Sequence, residues 1–372
     1  MVSLEELLTL LNDTPVVAKM HPVSRCYLPP NIAVYETASE LAWFLDRPVT
    51  TLLERALILA PDRVYSSRFP HISLDHDPFT PALNTVLFER FDDIASLMLT
   101  QNELAQAVVE QPGTPDIIVL MLIDGLSYGN VRHWLDIHPH SSMELEPCLV
   151  DVPTVTKIAF PHLIGERPPA MRLFDRGYQQ RLGFTYWTRK NNPLTDALFR
   201  TIPDVNAAGD FSTVLATLRT EMSKGKRKTY VQIMRTGLDG YAHHQKRKPP
   251  VDVIVNAIME EALAVANLCR ELGWTARIHL TADHGILWRD EFSPRIIGRA
   301  QAGASPRYCD WHDLYHQTQP GRRFTVDGQE IYCLGYPQLR RPLRIDEQGV
   351  HGGISFQESI VPFLTMRIDD RC

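Results

Sequence analysis

Cysteine is scarce and scattered in this chain: Cys26, Cys148, Cys269, Cys309, Cys333 and Cys372 form no Cys-x-x-Cys pair. That excludes a thiolate zinc site and a dense disulfide framework. No uninterrupted apolar run approaches the roughly 20 residues that a membrane span needs. Neither sign of charge dominates, since 38 basic against 44 acidic residues leave a formal net charge of -6. No global field therefore gathers nucleic acid or an anionic membrane, and any attraction for anions must be local. The opening residues Met1-Val2-Ser3-Leu4-Glu5-Glu6 are acidic and lack the basic-then-apolar order of a secretion signal. Internal repeats and low-complexity tracts are missing too. Together these absences predict a soluble protein of the reducing cytoplasm with no membrane contact.

What is present is enough apolar material, 44% of 372 residues, for one large core or two moderate ones. Residues 1–112 read as a mainly helical N-terminal region. Ser3-x-x-Glu6, Thr37-x-x-Glu40 and Thr51-x-x-Glu54 each fit a capping box ahead of a Leu-rich segment, and a longer helical pattern runs from about Ala82 to Glu110. Gln111-Pro112-Gly113-Thr114-Pro115 is the best boundary, which makes 113–372 a second domain. There the texture changes to apolar strands alternating with amphipathic segments, the pattern of an α/β fold with a mostly parallel sheet covered by helices. Ile117–Ile123 is continuously apolar, as a strand buried on both faces should be. Tyr230–Met234 and Ile278–Leu280 are shorter versions, and Glu330–Leu334 is a further candidate. Val251–Leu272 has helical spacing, with Pro250 near its start and Gly273 as its stop.

In such sheets ligands gather beyond the carboxyl ends of strands, and Asp124, Asp239 and Asp283 all fall there. Asp283 is followed by His284 and by Gly285, which permits the chain to turn out of the strand. Asp239 and His243 are four apart, so one helical turn would aim both side chains at one point; His244 competes, but the i to i+4 spacing favours His243. His351 precedes Gly352 and Gly353, which allow close backbone approach, and a helix-like run follows. Three aspartates and three histidines suit zinc or manganese and are too rich in nitrogen for calcium. They exceed what one catalytic ion requires, so two ions are expected. A pair of ions grips a phosphoryl oxygen and activates a nucleophile, and the candidate hydroxyls are Thr154 and Thr156 in Val152-Pro153-Thr154-Val155-Thr156-Lys157.

The set Leu122-Ile123-Asp124-Gly125, Pro153-Thr154-Val155-Thr156, Asp239 to His243, Thr281-Ala282-Asp283-His284-Gly285 and His351-Gly352-Gly353 through Glu358 to Val361-Pro362 resembles the alkaline phosphatase superfamily in order and spacing. Its ending looks most like the PglZ domain, with nucleotide pyrophosphatase/phosphodiesterases as close kin. The similarity covers roughly Asp116 to Arg371 and leaves the N-terminal region unexplained. The resemblance implies an alkaline-phosphatase-like sheet sandwiched by helices. It implies that Asp124, Thr156, Asp283 and His284 surround the ion beside the nucleophile, while Asp239, His243 and His351 hold the other, with zinc the first choice and manganese the second. Thr156, favoured over Thr154 only by family order, would attack phosphorus and form a phosphothreonine intermediate. Phosphodiesterase relatives often carry Phe-Pro-Asn directly after the nucleophile; here Lys157-Ile158-Ala159-Phe160-Pro161-His162 follows, and Lys157 is the candidate for the non-bridging oxygen.

The expected activity is a two-metal phosphodiesterase acting on nucleotide or short nucleic-acid esters. The alternatives are a phosphomonoesterase or phosphomutase of the same superfamily, or an assembly component of a bacterial phage-defence or signalling system whose metals are structural and whose N-terminal region docks a protein partner. Lys224 to Lys228 and Lys246-Arg247-Lys248 are basic clusters of the kind that usually forms a solvated face; the second starts three residues past His243, and the alternative reading of it is a border of the cleft that meets a polyanionic substrate. Trp311 to His316 and His71 to Asp77 also carry His and Asp but follow no buried strand, and read as ordinary polar segments.

Overall fold

A computed structural model describes 79–369 apart from 111–112, 187–197, 226, 244, 299, 302 and 311–320, together with four short strands nearer the N-terminus. The three capping boxes, His244, and the segments 71–77 and 311–316 lie largely or wholly outside the described residues. The chain divides into two compact units, 1–91 and 92–372.

In the first unit Val16–Ala18, Val34–Tyr35, Leu57–Leu59 and Ser73–Leu74 form a small parallel sheet in the order second, first, third, fourth, which the helical reading of this region does not anticipate. The single helix expected over 82–110 is instead several pieces. Phe79–Glu89 and Phe91–Ala95 are helical, Leu99–Thr100 is extended (β1), and Leu104–Val109 is helical again (α1). The restart has a local cause: the Glu103 carboxylate accepts from both the N–H and the hydroxyl of Thr100, each at 2.8 Å, and ties a new turn around that threonine. Residues 92–110, grouped by the sequence with the N-terminal region, lie with the second unit.

That second unit is built on an eight-stranded sheet. After β1 come β2 (Ile117–Asp124), β3 (Met143–Leu149), β4 (Gln180–Thr185), β5 (Val205–Ala207), β6 (Thr229–Thr236), β7 (Ala276–Ala282) and β8 (Ile360–Ile368). Their order is β1-β3-β8-β7-β2-β6-β4-β5, and only β8 runs against the rest. Every residue of β2 and β7 is buried, which is why both read as apolar runs. Each fully buried Val, Leu or Ile contributes about 1.5–3 kcal/mol, so the central strands anchor the fold.

Helices cover the sheet. Tyr128–Ile137 (α2) and the 21-residue Val251–Glu271 (α5) supply Val131, Trp134, Ile258, Ala262 and Val265 to the same core as β2 and β7. Thr156–Ile164 (α3) contributes Ala159, Phe160 and Leu163. The one-turn helices Asp239–His243 (α4) and Phe356–Ser359 (α6) lie at the site. Gln329–Leu334 is a strand as expected, although in a separate antiparallel three-stranded sheet. The helix-like run after Gly353 resolves into the single turn α6 and then β8, a central strand. Among the described residues no helix is long and apolar enough to cross a membrane.

Candidate active site

The three aspartates stand at the carboxyl ends of three neighbouring parallel strands. Asp124 closes β2, Asp239 begins α4 three residues past β6, and Asp283 follows β7. The structure groups them with the histidines into two clusters, Asp124, Asp283 and His284 in one and Asp239, His243 and His351 in the other, the potential ligand atoms of each lying within 4.8 Å of one another. The clusters adjoin, for the rings of His284 and His351 stack with centroids 4.0 Å apart.

In the first cluster Asp283 is fully buried, and its Oδ1 accepts from the N–H groups of Gly125 and His284, both at 3.0 Å. Its Oδ2 is buried, makes no hydrogen bond, and lies 3.4 Å from His284 Nε2. A buried carboxylate oxygen left in that state is costly unless a cation sits beside it. The Nδ1 of His284 donates to the carbonyl of Gly285 at 3.0 Å, which turns the Nε2 lone pair toward the cluster. Burial holds the His284 pKa below its usual value against the pull of Asp283, so the ring is neutral and able to act as a ligand.

In the second cluster the Nε2 atoms of His243 and His351 are 2.8 Å apart, and each is 3.1 Å from Asp239 Oδ1. His351 donates through Nδ1 to the carbonyl of Thr154 at 2.8 Å. A neutral His351 would then turn its lone pair toward the His243 ring nitrogen and the Asp239 carboxylate. Two imidazole nitrogens converging on one carboxylate oxygen form a donor set that a proton or a metal ion would satisfy. Burial opposes protonation of His351, yet the hydrogen bond and charge of Asp239 carry its pKa up to about 9. Burial likewise works against the Asp239 carboxylate, which His243 and His351 nonetheless hold well below its ordinary value. Both donor sets, with their oriented imidazoles and under-satisfied carboxylates, fit divalent cations.

Thr156 opens α3 with its hydroxyl 3.2 Å from His284 Nε2 and 3.5 Å from Asp124 Oδ1. Thr154 is differently engaged. Its fully buried hydroxyl accepts from Gly352 N–H at 2.7 Å and donates to the Gly353 carbonyl at 3.2 Å. Lys157 is exposed, as are Lys246 and Arg247, while Lys248 is drawn away to Asp290 at 2.7 Å and over the Trp288 ring at 5.3 Å.

Gly285 matters for a reason other than the turn expected of it. A Cβ there would lie 1.9 Å from the Gln357 carbonyl oxygen, so only glycine admits the segment that closes the site from behind. Sequence reasoning missed Gln101, whose amide donates to the Asp283 carbonyl at 3.1 Å. It also missed Ser127, which donates to the Gln357 carbonyl at 2.6 Å, and Arg307, which forms a buried ion pair with Glu358. Their signal is long-range contact, which no local spacing encodes.

No protein-family model and no curated protein matches this chain. Among solved structures it is similar to phosphonoacetate hydrolase from Sinorhizobium meliloti 1021, at 12% identity over 68% of this chain and 90% of that one, with a TM-score of 0.46. It is also similar to murine ectonucleotide pyrophosphatase/phosphodiesterase 5, at 10% identity over 67% and 87% with a TM-score of 0.45. A third likeness is to the C-terminal periplasmic domain of a phosphoethanolamine transferase from Campylobacter jejuni, at 9% identity over 69% and 80% with a TM-score of 0.38. Likenesses this faint carry no chemistry with them, and the site stands on its own geometry.

Proposed function

We propose that this protein is a two-metal phosphodiesterase that hydrolyses nucleotide-like phosphate esters through Thr156, on an alkaline-phosphatase-like, PglZ-like scaffold. The carrying observation is the Thr156 hydroxyl, 3.2 Å from His284 Nε2 and facing a buried Asp-Asp-His cluster that stacks against a second Asp-His-His cluster. Asp124, Asp283 and His284, with Thr156, would hold one divalent cation, and Asp239, His243 and His351 the other; the nitrogen and oxygen donors suit zinc or manganese. When bound, such cations lower the pKa of the hydroxyl and offset charge on the phosphoryl oxygens.

The chain's own residues do the rest. Thr156 Oγ1 attacks phosphorus as the bond to the leaving alcohol breaks, the hydroxyl proton passes by way of solvent to the departing alkoxide, and a phosphothreonine forms that is still esterified to the remaining alcohol. Water then attacks the same phosphorus, and Thr156 leaves with a proton as the phosphate monoester is released. The α3 N-terminus holds the hydroxyl against His284, and the Thr154 carbonyl fixes the His351 ring. Exposed Lys157, Lys246 and Arg247 provide local positive charge for a nucleotide or short single strand, despite the net acidity of the chain.

Turnover of a nitrophenyl nucleotide diester compared with nitrophenyl phosphate tests the assignment. The diester is expected to be the better substrate. A preference for the monoester would reject the diesterase in favour of a phosphomonoesterase or phosphomutase.

A further inference from the structure

The loop that carries His351 is held from behind by an ion pair that the proposed chemistry does not use. Arg307 and Glu358, both fully buried, meet through two parallel bonds, Nε to Oε1 at 2.9 Å and Nη2 to Oε2 at 2.6 Å. Arg307 also donates through Nη1 to the carbonyls of Gly335, at 3.0 Å, and Gln338. An apolar pair of similar volume is often as stabilising as a buried ion pair, so packing alone gives little reason for these charges.

Their remaining contacts point to the site. Glu358 Oε1 accepts from the N–H of Gly353 at 3.0 Å, two residues past His351, and Oε2 accepts from the Ser355 hydroxyl at 2.7 Å. The backbone is shaped to this arrangement. A Cβ at Gly353 would lie 2.5 Å from the Arg307 guanidinium, and Gly352 has φ +105° with Tyr308 2.6 Å from where its Cβ would be. Thr154 fastens the other side of the same loop through Gly352 N–H and His351 Nδ1. The main-chain carbonyl of Glu358 meanwhile accepts from Gly285 N–H at 2.9 Å, one residue past His284. One residue thus supports both clusters by separable means, the side chain behind His351 and the backbone behind His284.

We infer that Glu358, clamped by Arg307, is a positioning residue that sets the aim of His351 at Asp239 and His243 and thereby the affinity of the second ion; the inference rests on the two-ion reading above. It is tested on the full chain stripped of metal and titrated with Zn2+ alone by calorimetry, with thermal melts alongside. Wild-type protein is expected to take up two ions. Glu358→Gln and Glu358→Asp both keep the main-chain bond to Gly285. Each is expected to keep one ion at near wild-type affinity and to bind the other about 10- to 100-fold more weakly. The Asp variant retains the charge opposite Arg307 and serves if the Gln variant fails to fold. Two ions at wild-type affinity in a folded variant, whatever the shift in melting temperature, would reduce the pair to packing and overturn the inference. Equal weakening of both ions would overturn it as well. A wild-type protein that binds one ion or none would instead sink the two-ion reading itself, and the inference with it.

Discussion

In the cluster of Asp124, Asp283 and His284 every side chain is buried, whereas Asp239, His243 and His351 are each partly open to solvent. The first sets two carboxylates around one imidazole and the second one carboxylate against two imidazoles, and their protonation differs. Burial keeps His284 neutral, with a lone pair ready for a cation. In the more open cluster Asp239 lifts His351 to about 9, so at neutral pH a proton sits where an ion would. Burial acts against the charged ring in both halves, so it is the hydrogen bond and charge of Asp239 that decide which half must first give up a proton.

The largest effect expected is on the chemistry that the buried half supports. Thr156→Ala should lower diester turnover by at least about a thousandfold while leaving both ions bound, as steady-state kinetics and metal analysis would report. Thr154→Ala, if it abolished turnover with Thr156→Ala still active, would transfer the nucleophile to the wrong hydroxyl for this geometry. Next in size, Asp283→Asn should weaken the ion of the buried cluster about a hundredfold, and His351→Ala that of the open one by a similar factor. Metal content after dialysis, measured by mass spectrometry, would show whether the same ion disappears from both, in which case the division into two halves fails.

A smaller effect sharpens the contrast by pH. Because His351 carries a proton below about pH 9, and the incoming ion must displace it, affinity for the second ion should rise about tenfold per pH unit from about 7 to 9 and then level off. The buried cluster, whose imidazole is already neutral, should show no such slope over that range, and calorimetric titrations at several pH values compare the two. Smallest of all, Arg219→Met removes an exposed pair with Glu271. It should change stability by less than about 1 kcal/mol in a denaturant melt and leave both ions in place.

Much of this was legible in the sequence where burial is complete. β2, β6 and β7 announce themselves as apolar runs, and the aspartates at their ends follow from the direction of the strands. β3 hides because Glu144 and Glu146 alternate with Met143 and Leu145, leaving one face polar. β8 hides because Pro362 argues against a central strand. In the fold it faces Pro147 across the β3–β8 ladder, so two residues without a ladder donor share one rung. Arg307 and Glu358 are 51 residues apart in separate segments, with no periodicity to link them. Gly285 was visible as a turn former, but the reason for it, the carbonyl of Gln357 pressed against it, belongs to tertiary packing.

The register of the central sheet has one more consequence. Ala282 pairs with Ile123, which sets Asp283 level with Asp124, and Thr236 pairs with Asp124 on the other side, so all three carboxylates are gauged from one row of peptide groups. Neighbouring strands lie about 4.8 Å apart in any sheet, so the separation of the carboxylates is inherited from main-chain hydrogen bonding and is indifferent to the length of the intervening loops. Insertions between strands should leave that gauge unchanged. A slip of β7 by one residue would turn Asp283 to the opposite face and dismantle it.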